Sequence, residues 1–61
     1  MGTQYKVVET SSVTDEDLER IFNEWTQRGW HLDGVRFAMS DASRRPTMAF
    51  VTFTREADDA G

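Results

Sequence analysis

Val13–Trp30, VTDEDLERIFNEWTQRGW, decides the fold of this chain. It predicts one amphipathic helix with a start signal, a stop signal and a single apolar stripe. Thr14 is the N-cap, because its hydroxyl can accept from a free N–H of the first turn. Asp15, Glu16 and Asp17 fill that turn, where the helix dipole favours negative charge. Asp17 follows Thr14 by three residues, a short-armed capping box, and Val13 with Leu18 fits a hydrophobic staple. Leu18, Ile21, Phe22 and Trp25 stand at i, i+3, i+4 and i+7 on one face. The opposite face carries Glu16 with Arg20 and Glu24 with Arg28, two acid-first i,i+4 pairs. Gly29 is the stop, free to take a left-handed conformation, and Trp30 then reaches back toward Trp25. The two indoles close the lower end of the core.

On the N-terminal side, Tyr5–Thr10 (YKVVET) is rich in β-formers and predicts a first strand. Tyr5, Val7 and Glu9 face one way, and Lys6, Val8 and Thr10 the other. Residues 1–4 are expected to form a flexible N-terminus. After Trp30 the apolar period changes to two. Trp30 and Leu32 share one parity, while Val35, Phe37 and Met39 share the other. A β-bulge at Gly34 would put both sets on one face; without it, this second strand is apolar on both faces. Ser40–Pro46 (SDASRRP) is a loop longer than a tight hairpin turn. Thr47–Arg55 (TMAFVTFTR) is a third strand, with Ala49, Val51 and Phe53 on one face and Met48 and Phe50 on the other. It lacks the clean alternation of a strand with one wet face, so it belongs in the centre of a sheet. Residues 56–61 read as a disordered acidic tail.

The predicted fold class is therefore α+β. A single domain over residues 5–55 runs strand, helix, strand, strand. Its three-stranded antiparallel sheet has strand three central, in the order 1-3-2, and the helix packs on one face. The alternative order, 1-2-3, would pair strands one and two in parallel through a right-handed crossover.

Composition bounds the function. Sixty-one residues make one small domain with little core to spare. With no cysteine and one histidine, disulfides and thiolate metal sites are excluded, and efficient packing or oligomerisation must supply stability. No apolar run approaches the ~20 residues of a membrane span, and no basic leader precedes an apolar stretch. Lys6 stands where N-myristoylation needs Ser or Thr. These features suggest a cytoplasmic protein with no membrane partner. The net charge is −4, which argues against nonspecific nucleic-acid binding. The helix and the tail each carry −3, and the remaining segments, holding Lys6, Arg36, Arg44, Arg45 and Arg55, carry +2.

Four stretches together resemble a known family: Tyr5-Lys6-Val7-Val8, Leu18 with Ile21-Phe22-Asn23-Glu24, Gly29-Trp30-His31-Leu32, and the last strand through Arg55. Over about residues 4–55 the chain is similar to a small bacterial and phage domain, domain of unknown function 4177. Members commonly carry Glu where this chain has His31, and an aliphatic residue where it has Trp25. The resemblance implies a strand-helix-strand-strand fold and brings no activity, cofactor or catalytic residue.

The residues offer little chemistry of their own. His31 could act as a base or a pH switch, but an exposed strand residue without a partner is the simpler reading. Asp15, Glu16 and Asp17 are accounted for by the helix start, and consecutive helical residues point apart, so no metal site is expected. No Ser, Cys or Lys stands in a nucleophile motif, and no catalytic or cofactor-binding residue is assigned. Tyr5, Trp25, Trp30, Phe37, Phe50 and Phe53 could serve as stacking platforms, with Arg36, Arg44, Arg45 and Arg55 holding phosphates. A domain this small needs both tryptophans in its core, so nucleic-acid binding is kept as the alternative function. The leading expectation is a non-enzymatic interaction or regulatory module. One helix covers one sheet face, leaving either Val8, Met48 and Phe50, or Val7, Ala49, Val51 and Phe53, exposed. Such a patch marks an association surface. The expected contacts are Val8, Met48, Phe50, Arg44 and Arg45, and the expected partner is a second copy in a dimer or larger homo-oligomer, or else an unknown protein. On this reading Phe50→Asp or Val51→Asp yields a soluble monomer.

Overall fold

The computed structural model describes residues 2–39 and 46–57. Its elements are β1 (Gly2–Thr10), α1 (Asp15–Thr26), β2 (His31–Ala38) and β3 (Met48–Ala57). The three strands form one sheet in the order β1-β3-β2, and both pairings are antiparallel. The α+β class, the element order and the central place of β3 are as the sequence predicts.

The local signals of the helix act as expected. Thr14 has extended backbone angles and its side chain accepts from the Asp17 N–H at 3.2 Å. The Asp17 carboxylate in turn accepts from the Ser12 and Thr14 hydroxyls and from Arg20 Nη2, the last at 3.1 Å. Arg20 thus pairs with Asp17 at i,i+3 rather than with Glu16, whereas Arg28 lies 3.6 Å from Glu24 as its spacing predicts. Gly29 takes φ +92°. Its N–H donates to the Thr26 carbonyl and the Trp30 N–H to the Trp25 carbonyl, both at 3.2 Å. These are the 5→2 and 6→1 bonds of a Schellman end, which turn the chain back onto the sheet.

Two boundaries differ from the sequence reading. β1 begins at Gly2, because residues 2–4 pair with 55–57 and are not a free end. β3 runs on to Ala57 for the same reason, which takes Glu56 and Ala57 out of the expected acidic tail; residues 58–61 lie outside the described residues. The predicted bulge is present. The β2–β3 register shifts between Leu32 and Gly34, so Asp33 is the extra residue. Leu32 opposite Phe53 and Val35 opposite Val51 consequently share a face despite opposite parity. Gly34 does this without a left-handed φ.

The core lies between α1 and one face of the sheet. Ile21, Ala49, Val51 and Phe53 are buried. Val8, Leu18, Phe22, Trp25, Trp30 and Val35 pack around Ile21, Val51 and Phe53. The whole predicted stripe therefore faces the sheet, and both indoles join the core. Each indole also carries a cation. Lys6 Nζ lies 4.2 Å and the Arg28 guanidinium 4.8 Å from the Trp25 ring centre, and Arg55 lies 4.4 Å from that of Trp30. The Arg55 Nε also donates to Gln4 Oε1 across the β1–β3 pair at 2.8 Å. The hydrocarbon stems of these side chains shield ring faces that a single short helix leaves at the edge of the core.

Candidate interaction surface

The face of the sheet away from α1 follows from the register. In β1–β3, Val8 is opposite Val51 and Lys6 opposite Phe53, so even-numbered β1 residues stand on the helix side. Odd-numbered ones stand on the open side: Tyr5 opposite Thr54, Val7 opposite Thr52, Glu9 opposite Phe50. In β2–β3, Ala38 is opposite Met48, Arg36 opposite Phe50, Gly34 opposite Thr52, and His31 opposite Thr54. The open face is thus a grid of rows read from β1 through β3 to β2. One row is Glu9-Phe50-Arg36, the next Val7-Thr52-Gly34, the next Tyr5-Thr54-His31, with Met48 and Ala38 beyond the first.

Its apolar members are substantially exposed. Tyr5 is 68% and Val7 60% accessible, while Phe50, flanked on both sides in the central strand, and Met48, flanked by Ala38 alone, are half-buried. The helix side has an uncovered margin of its own along β2, where Leu32 is 44% and Phe37 51% accessible.

Of the expected contacts, Met48 and Phe50 stand on the open face. Val8 does not: it packs under the helix against the core cluster, and Val7 takes its place beside Phe50. Val51 is likewise core, so it is not an open-face position. Arg44 and Arg45 lie outside the described residues. Arg36 stands on the open face, but Arg55 stands on the helix side against Trp30, so the arginines and aromatics of the nucleic-acid alternative are divided between two faces. Of the six aromatics considered, Tyr5 and Phe50 are on the open side; Phe37 and Phe53 are on the other, and Trp25 and Trp30 pack there.

Read from the sequence, Glu9 has no role, Tyr5 and Arg36 serve only the nucleic-acid alternative, and Val7 is grouped with Ala49, Val51 and Phe53 instead of with Phe50. Their parity was legible, but the pairing sum was not. Opposed β1 and β3 residue numbers add to an odd number, as with Val8 and Val51, so odd residues of one strand share a face with even residues of the other. The helix that joins β1 to β2 imposes no such sum.

His31 is exposed at the edge of the grid. Among the described residues no three His, Cys, Asp or Glu side chains cluster closely enough to hold a metal ion, and no helix is long and apolar enough to cross a membrane. A shifted carboxyl lies at the helix start. There, hydrogen bonds from Ser12, then Arg20 and Thr14, hold the Asp17 carboxyl below its usual range. It belongs to the cap and not to the grid. No family model matches the chain, and no curated protein or solved structure matches it either.

Proposed function

We propose that this protein is a non-enzymatic interaction module that self-associates through the open face of its sheet. The observation that carries the reading is the contrast between the two sheet faces. One is covered by α1 over β1 and β3 and left open along β2, at Leu32 and Phe37. The other presents Tyr5, Val7, Phe50 and Met48 together, with Tyr5 and Val7 more than half exposed. A contiguous apolar patch of this kind on a small domain is a surface for association. Small size points the same way, since a chain with only four buried apolar residues among those described gains stability by covering more surface. Kinship with domain of unknown function 4177 is part of the proposal, supported by the strand-helix-strand-strand order that the resemblance implies. So is a cytoplasmic setting, supported by the absence of cysteine.

Nucleic-acid binding is the less supported reading. The described arginines and the aromatics are divided between the two faces, Arg36 with Tyr5 and Phe50 and Arg55 with Trp30, and the two indoles are already stacked by cations of the chain itself.

The test is solution mass by light scattering over a wide range of protein concentrations, for the wild type, Phe50→Asp and Phe37→Asp. The expected result is a reversible dimer for the wild type and Phe37→Asp, and a folded monomer for Phe50→Asp. A wild type that is monomeric throughout would overturn the proposal. So would a Phe50→Asp variant of unchanged mass. If Phe37→Asp alone dissociates the dimer, association uses the uncovered β2 margin instead. Val51→Asp is no substitute for Phe50→Asp, because it places a carboxylate in the core.

A further inference from the structure

Resting on that reading, we infer that the partner on the open face is a second copy related by a twofold axis running along β3, with Glu9 of each copy set against Arg36 of the other. The argument is in the rows. Rotation by a half turn about an axis lying in the interface along β3 exchanges left and right and keeps each row at its own level. It therefore lays β1 of one copy over β2 of the other, row on row, and β3 over itself. A half turn about an axis across the strands lays β1 over β1 instead.

The first operation matches the three rows that span all three strands; beyond them, at the far end of β3, it brings Glu56 of each copy toward the other. Glu9 meets Arg36, opposite charges at the two ends of the row centred on Phe50. Val7, 60% accessible, meets Gly34, where nothing lies within 4 Å of the space a Cβ would fill. Tyr5, 68% accessible, meets His31, a ring over a ring. Phe50 meets Phe50 on the axis. The second operation, centred on the same row, sets Glu9 on Glu9 and Arg36 on Arg36 and repels at both ends. Aligned sheets pack about 10 Å apart and cross at roughly 30°, so the match holds best for the rows nearest the crossing point. Glu and Arg side chains together span that gap.

The size of the surface sets the strength. Three strands about 4.8 Å apart and eight to ten residues long offer roughly 14 × 27 Å of flat area. That is on the order of 400 Å² per copy and sits at the low end of specific interfaces. The dimer should therefore dissociate on dilution within a measurable range. The charged pair would then choose the orientation more than it adds affinity.

Charge reversal at the two positions tests the axis. Glu9→Arg alone places like charges together in its own dimer, and so does Arg36→Glu alone. Each should raise the dimer Kd at least tenfold. Mixing the two variants in equal amounts makes a heterodimer in which both contacts are again Arg against Glu. The mixture should form dimers within about threefold of the wild-type Kd, as should the Glu9→Arg, Arg36→Glu double variant. Rescue by mixing cannot arise from repair within one chain, so it isolates the contact between copies. If Phe50→Asp is monomeric but the charge variants dimerise normally, or the mixture is not rescued, self-association through the face stands and this axis is wrong. If the wild type is monomeric at every concentration, both the axis and the underlying reading fall.

Discussion

Phe50 and Phe53 are the same residue on the same strand, three positions apart, and they live in different environments. Phe53 is fully buried under α1 with Val51 and Ala49; Phe50 is half-buried on a face that none of the described elements covers. The difference is made by cover and not by the residue's own apolarity. β3 is apolar in both phases because it is central. Only one phase has a helix over it. The residues that complete a core and those that form a docking surface therefore alternate along one strand.

The sharpest way to break that comparison is to shorten both rings. Phe53→Ala should cost about 3–5 kcal/mol, from lost burial plus a cavity. That is much of the stability a domain of 61 residues has at about 0.05–0.15 kcal/mol per residue. Phe50→Ala, measured at concentrations where the protein is monomeric, should cost less than about 1.5 kcal/mol, because its ring already meets water. Urea unfolding of the two variants side by side reads the ranking, and equal losses would mean that the two faces are equally covered.

The next effect tests what holds the helix over its face. Gly29→Ala should destabilise by about 1–2 kcal/mol, since φ +92° is costly for a residue with a Cβ. Nothing lies within 4 Å of the added methyl, so the loss is conformational and not steric. The same change at Gly34, which lacks a left-handed φ and has open space around it, should be much milder in the monomer. In the twofold dimer it would intrude on Val7 of the other copy.

Thr14→Ala removes the hydroxyl that caps the Asp17 N–H and should cost about 1 kcal/mol in thermal or urea unfolding. The smallest effect is the pH dependence of that cap. The folded-state pKa of Asp17 is depressed by its hydrogen bonds to Ser12, Arg20 and Thr14. Its contribution is therefore complete above the carboxyl's unfolded pKa. It is lost as pH falls through the lower folded value. Asp17→Asn should flatten the acid side of the stability curve and leave its neutral-to-basic shape unchanged. An identical acid slope in the variant would remove Asp17 from the account.

What was legible in the sequence was local. Thr14, the acidic first turn, the Leu18-Ile21-Phe22-Trp25 stripe and Gly29 act within one or two helical turns, so neighbouring residues suffice to place them. The bulge was legible from the change of parity between Leu32 and Val35, although the extra residue is Asp33. The central place of β3 followed from its apolarity in both phases. The assignment of Val8 to the open face failed because it required the register between β1 and β3. That register joins residues 39 to 55 positions apart, from Thr10 with Ala49 to Gly2 with Ala57. The extent of β1 was missed in the same way, since Gly2–Gln4 are polar and become strand through the partners at 55–57.

The sequence by itself determined the element order, the helix and its ends, and which residues alternate along each strand, because these depend on short-range sterics, hydrogen bonding and periodicity. The tertiary structure alone decided which phase of β1 shares a face with which phase of β3. It also decided which phase α1 covers, and so which residues stand together on the open side. A one-residue slip in pairing exchanges the two faces of a strand without altering its local pattern, and only the long-range pairing removes that freedom.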